Sequence, residues 1–217
     1  MTRVSMISCL LLAFLWLAGP AAAEEMLASA ADVGVSEAEA AKAERFIRTK
    51  HNKVRQVLRT PDTPKRANQL TDLLGEFLDY DRLARLSLDK EWAKRSPKER
   101  DHFVSLLRQL VERQYQRNME STLAYKVTWV GTEPIETGIK VNSSARSVKK
   151  KRQPPITIDY SMSPAGKEWK VFDIFTDEVS LVKNYKRQFR RVIKEEGWSG
   201  LIGRMEKKLN AEEDDLL

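Results

Sequence analysis

A chain of 217 residues with 41% hydrophobic and 32% charged side chains is sized for one domain, or two small ones at most, and is too apolar for a disordered or collagen-like protein. Lysine and arginine number 38 against 31 aspartates and glutamates, a net charge of +7; such a surface serves solubility, nucleic-acid attraction or membrane attraction, and charge alone does not choose. One cysteine and two histidines exclude a zinc finger or a thiol-attached haem built within one chain.

Arg3 supplies a positive start, Val4 to Ala18 is almost wholly apolar, Gly19-Pro20 breaks the run, and Ala21-Ala22-Ala23 has the small-residue pattern of a secretory cleavage site. This predicts a signal peptide over residues 1–23 and a flexible segment over 24–35. The apolar run falls short of the roughly 20 residues a membrane-crossing helix needs. Cys9 lies inside the run rather than just after it, which argues against a lipid anchor, and its removal leaves an exported chain without thiols, suited to an oxidising compartment. Export most resembles the bacterial periplasmic route.

Ser36 followed by Glu39 reads as a capping box, and Phe46, Ile47, Val54, Val57 and Leu58 continue at helical spacing to about Arg59. Pro61 and Pro64 punctuate a linker. Leu70, Leu73, Leu74, Phe77, Leu78 and Leu83 mark a second amphipathic helix that bends or ends near Tyr80-Asp81. Ser96-Pro97-Lys98-Glu99 is a strong helix start, since Ser caps, Pro fits the first turn and Glu reaches back to the cap; Phe103, Leu106, Leu107, Leu110, Val111 and Tyr115 then form one apolar stripe.

From Tyr125 the period changes to two and β-branched and aromatic residues take over. Strands are predicted over Lys126–Val130, Gly138–Ala145, Ile156–Met162 and Lys167–Thr176, with turns at Gly131–Thr137 and Ser163–Gly166 and an exposed loop at Lys149–Pro155. The strand Trp169–Phe175 is apolar on both faces and should be covered on both. Helical spacing returns from Val179 to Glu195, Gly197 is a stop, and a last short helix follows Ser199 before the acidic tail of residues 211–217. Helices, a four-stranded antiparallel meander, then helices, without βαβ alternation, define an α+β fold.

Catalytic patterns are nearly absent. Gly197-Trp198-Ser199-Gly200-Leu201 misses the nucleophile-elbow spacing and follows no strand, so Ser199 reads as a helix cap. His51 and His102 lie far apart in charge-rich helical surroundings and read as surface residues. Asp79 with Asp81, and Asp173 with Asp177, are the carboxylate pairs that acid–base work or magnesium would use, and equally the aspartates that turns and helix starts use. The basic run Lys149–Arg152 has no interleaved aromatics for base stacking, which disfavours nucleic acid; it is a solvated loop or a contact for anionic lipid headgroups.

Three stretches resemble the MlaC family, the periplasmic phospholipid-carrier components of a lipid-transporting ABC system, also labelled toluene-tolerance proteins. Phe77-Leu78-Asp79-Tyr80, Trp92 and Ser96-Pro97-Lys98-Glu99 through Phe103 are similar to its first segment, and Trp169 to Ile174 to its second. Val179-Ser180-Leu181-Val182-Lys183-Asn184-Tyr185-Lys186-Arg187-Gln188-Phe189, then Gly197 and Leu201-Ile202, are similar to its ending. Glu178 stands where the family usually has glycine and Lys186 where it has arginine; the first bears on turn geometry, the second on a bidentate contact.

The resemblance covers most of residues 37–209. It implies a single lipid-binding domain over residues 36–210: a curved sheet of nuclear-transport-factor-like character packed against helices, with an apolar cavity between them for acyl tails. At roughly 0.8 kcal/mol per methylene, a chain of about sixteen carbons costs on the order of 12 kcal/mol to expose to water, so a soluble carrier must replace the bilayer's burial. Such a carrier needs no nucleophile, metal, cofactor or redox group and is not an enzyme. Its implied partners are a phospholipid or related lipid, an inner-membrane lipid ABC transporter complex and an outer-membrane lipoprotein complex, with transient membrane-surface contact.

If so, the inward faces contribute Phe77, Tyr80, Leu83, Phe103, Leu107, Leu110, Val141, Ile158, Tyr160, Trp169, Val171, Leu181 and Tyr185 to the cavity. Three alternatives stay open: an adaptor whose interior is filled by its own side chains, a carrier of isoprenoid (hopanoid-type) lipid, and an exported enzyme on a cavity-bearing fold, with Asp173 the strand residue to inspect.

Overall fold

The structure, a computed structural model, describes residues 36–211. The predicted signal peptide, the segment after it and the acidic residues beyond Ala211 lie outside the described residues.

Helix α1 (Glu37–Leu58) begins where the Ser36 hydroxyl accepts the Glu39 N–H at 3.2 Å. Its buried stripe is Ala43, Ile47, Lys50, Val54 and Leu58. Helix α2 (Pro64–Phe77) is capped by Thr63, with proline in its first turn, and α3 (Tyr80–Leu88) is capped by Asp79, whose carboxylate accepts the Arg82 N–H at 2.9 Å. The break between them falls at Leu78-Asp79, slightly before its predicted place. Leu78 is extended and bridges to Val171, and the Asp79 N–H donates to the Val171 carbonyl at 2.8 Å. Two helices are thereby pinned to the edge of the sheet, which no local pattern announces.

After the short α4 (Lys90–Ala93), helix α5 (Pro97–Asn118) opens with the reciprocal box read from the sequence. The Glu99 N–H donates to Ser96 Oγ at 3.3 Å, and the Ser96 N–H donates to Glu99 Oε2 at 2.8 Å. A 3₁₀ turn (Met119–Ala124) then leads into the sheet.

The sheet is antiparallel and follows chain order: β1 (Tyr125–Ile135), β2 (Gly138–Ser147), β3 (Ile156–Ala165), β4 (Glu168–Thr176) and β5 (Val179–Ser180). It has five strands where four were predicted. Asp177 and Glu178 both take left-handed φ (47° and 67°), folding the chain back so that Val179 pairs with Thr176 and Ser180 with Phe175. Val179 and Ser180, assigned by spacing to a helix, are therefore strand.

The predicted turn at Gly131–Thr137 is also corrected. The register slips between Trp129 and Gly131, leaving Val130 as a bulge, and β1 then continues to Ile135, so only Glu136 and Thr137 turn. Gly138 must be glycine here, because a Cβ would collide with the Met162 carbonyl on the next strand.

Strand β4 is covered on both faces as its composition requires: Trp169, Val171, Phe172 and Asp173 are all buried. The Arg82 guanidinium lies 3.6 Å from the Phe172 ring centroid and donates to Ser163 Oγ at 2.6 Å, joining α3 to the sheet.

Helix α6 (Leu181–Asn210) is capped by Ser180 and interrupted at Gly197, which has φ 75° and ψ −176°. The helix resumes at once, so Ser199 sits in the first turn of the second segment rather than ahead of it.

Candidate functional site

The strand register decides which side chains share the face turned to the helices. Val127 lies opposite Ala145 and Ala145 opposite Ile156; Tyr160 lies opposite Val141 on one side and Ile174 on the other; Ile158 lies opposite Thr176. Helix α1 crosses this face with Ile47, His51 and Val54, one stripe at helical spacing. Between them is an apolar hollow of about 420 Å³, closed at one end by Ser121, Thr122 and Tyr125. Arg55 fixes that end by donating to the Thr122 and Tyr125 carbonyls at 2.8 and 2.9 Å.

A second hollow of about 330 Å³, walled by Leu74, Leu83, Val111, Val171, Leu181 and Tyr185, shares Phe77, Tyr115, Ile174 and Thr176 with the first. The two adjoin along these four residues as neighbouring lobes. Phe77 is buried at their common floor and Thr176 exposed at their common rim. A third hollow of about 310 Å³ lies between α5 and α6 on Leu107, Leu110, Phe189, Val192, Leu201 and Met205, and meets the second at Gln114 and Tyr185.

Polar groups in these walls are few. Lys50 pairs with the Glu76 carboxylate, which is held below the usual carboxylate range chiefly by that hydrogen bond. His51 is half-buried, edge-on to Trp129 with ring centroids 5.8 Å apart, and burial, reinforced by Arg55, lowers its pKa. The expectation that His51 is a surface residue fails because α1 turns it toward the sheet. His102 is exposed as expected, 3.1 Å from Glu206 Oε1. Burial raises the phenols of Tyr115, Tyr160 and Tyr185, Tyr115 up to about 12.

The carboxylates singled out for chemistry are occupied otherwise. Asp79 caps α3, and Asp177 accepts the Thr157 N–H at 3.0 Å. Asp173 accepts from the Ser180 hydroxyl at 2.6 Å, the Val182 N–H at 3.0 Å and the Ile174 N–H at 2.9 Å. It thus ties β4 to the start of α6.

The residues expected in the cavity fall into two sets. Phe77, Ile158 and Tyr160 line the first lobe; Phe77, Leu83, Val171, Leu181 and Tyr185 line the second; Leu107, Leu110 and Tyr185 line the third hollow. Tyr80, Phe103, Val141 and Trp169 line none of the three. Phe103 packs edge-on to Phe189 at 5.4 Å, the Tyr80 hydroxyl donates to Glu112 at 3.3 Å, Val141 is fully buried, and Trp169 is buried opposite Pro164. Neighbouring side chains fill the space beside these four, so they are core. Ile47, Val54, Tyr115, Val127, Ile156 and Ile174 line the lobes without having been selected; the stripe Ile47-His51-Val54 and the alternation Ile156-Ile158-Tyr160 are the signals that identify half of them.

A curved antiparallel sheet clasped by helices around an open apolar hollow defines a cavity-bearing α+β fold. The family model described as MlaC protein matches residues 48–207, and the chain belongs to the MlaC family. No curated protein matches the chain. Among solved structures, a phospholipid-binding protein from Ralstonia solanacearum, determined in complex with a phospholipid, aligns with a TM-score of 0.68 at 21% identity, over 78% of this chain and 97% of that one. At that identity the match establishes a shared fold.

Proposed function

We propose that this protein is a periplasmic lipid carrier, which buries the acyl chains of a phospholipid in the two-lobed hollow and carries it between an inner-membrane lipid ABC transporter complex and an outer-membrane lipoprotein complex. The observation that supports this most is the hollow itself, about 420 and 330 Å³ in its two lobes, walled by apolar side chains from both sheet and helices. Membership of the MlaC family and the phospholipid held by a protein of the same fold agree with it. On this reading residues 1–23 are the export signal and the exposed loop Lys149–Arg152 is a candidate for passing contact with anionic headgroups. The work is burial rather than bond-making, so no residue is assigned a catalytic role.

The test is native mass spectrometry of the protein exported to a periplasm and purified without detergent, followed by extraction and identification of its lipid. A stoichiometric glycerophospholipid is the expected result; a bound isoprenoid keeps a carrier and changes its cargo. A lipid-free mass that persists after incubation with phospholipid vesicles overturns the carrier reading and favours an adaptor.

A further inference from the structure

Buried tyrosines ordinarily find a partner for the hydroxyl, because leaving it dry and unpaired costs free energy. Tyr80 obeys, donating to Glu112 at 3.3 Å. Tyr115 and Tyr160, both half-buried, do not: each lines the hollow, and neither hydroxyl has a hydrogen bond to any described residue, so what reaches them is whatever fills the hollow. Both stay protonated across the physiological range, since burial raises Tyr115 and Tyr160 alike, with Tyr115 adding to the effect on Tyr160. Two donors therefore border a largely apolar space without being bonded to any of the few polar groups in its walls.

The position of Tyr115 narrows what the acceptor is. It stands on the wall shared by the two lobes, with Phe77, Ile174 and Thr176. A lipid with one chain in each lobe has its branch point there, and in a diacyl lipid the branch point carries two ester carbonyl oxygens. A pure hydrocarbon brings no acceptor, and a dialkyl ether brings only weaker ones.

We propose that Tyr115 and Tyr160 donate hydrogen bonds to the ester carbonyl oxygens of a diacyl lipid, so that the cavity selects ester-linked cargo over ether-linked or hydrocarbon cargo of the same size. This rests on the carrier reading and adds a chemical preference to it. Replacing either tyrosine by phenylalanine removes the hydroxyl and leaves the ring's packing in place.

The experiment is a competition in which the delipidated full chain is offered vesicles containing equal amounts of a diester phosphatidylglycerol and its diether counterpart, matched in headgroup and chain length, and bound lipid is read by native mass spectrometry. The wild-type protein should favour the diester about tenfold, as two modest hydrogen bonds imply. The Tyr115→Phe/Tyr160→Phe double variant should lose the preference, its diester-to-diether ratio falling to about one, and its lipid-free melting temperature should hold or rise. Equal uptake of both lipids by the wild type, or a preference that survives in the double variant, overturns the proposal and leaves the carrier reading intact. A fall in the lipid-free melting temperature of the variant, which would mean that the hydroxyls have partners within the protein, also overturns it. Uptake of neither lipid overturns both readings.

Discussion

Ser180 and Asp173 hold each other across the junction of sheet and last helix: the serine hydroxyl donates to Asp173 Oδ2 at 2.6 Å while its oxygen accepts the Lys183 N–H at 3.0 Å. The second carboxylate oxygen takes the Val182 N–H at 3.0 Å. One buried acid thus satisfies the first turn of α6 and fixes where the second lobe's Leu181 and Tyr185 stand. Asp173→Ala strands these donors and should lower unfolding free energy by about 2–4 kcal/mol, as the loss of a buried cap and charged acceptor does. Urea denaturation measures it, and Asp173→Asn, which keeps one acceptor oxygen, should lose less. Equal stability of all three proteins contradicts this account.

Glu178 adopts φ 67°, in the region where a side chain crowds its own backbone. The turn geometry that glycine permits is kept here by a residue that opposes it. Glu178→Gly should therefore stabilise the protein by about 1 kcal/mol, seen as a higher melting temperature; an unchanged or lower one contradicts this account.

His51 gives the fold a pH dependence whose sign follows from its burial. Its folded pKa lies below the ordinary 6.5, so the unfolded chain binds the proton more readily and acid favours unfolding. The neutral imidazole is accommodated without penalty above pH 6.5; as the pH falls below that value stability declines, and the decline levels off once the folded state is protonated too. Comparing unfolding free energies at pH 7.5 and 5.5 should show a smaller difference in His51→Leu than in the wild type. An identical difference in both would assign the dependence to other groups.

Lining and filling the interior should separate under mutation. Ile158 is half-buried on the wall of the first lobe, whereas Phe103 is fully buried between α5 and α6. Ile158→Arg should reduce copurified lipid at least tenfold with little change in melting temperature. Phe103→Ala should lower stability by about 3–5 kcal/mol while the folded fraction retains its lipid. The reverse pattern would mean that the hollow lies elsewhere.

The parts of this protein written in neighbouring residues were legible without coordinates. The Ser96–Glu99 box, the stripe of α1, the exposed Lys149–Pro155 loop and the double-sided burial of β4 depend on spacing over one or two turns or a few strand residues, so local physics suffices. The quoted motifs placed the chain in its family for the same reason.

What depended on distant segments was not legible. Periodicity marks Val141 and Tyr160 alike as inward-facing, yet Val141 is sealed by its neighbours while Tyr160 faces open space, because a void is the shortfall of volume among α1, α2, α5 and the sheet taken together. The pinning of Leu78 to Val171, the two-residue strand β5 and the turning of His51 toward Trp129 likewise arise from contacts between residues far apart in the chain. Sequence determined which residues are apolar and how each element repeats; tertiary packing alone decided which apolar residues fill the interior and which leave it empty.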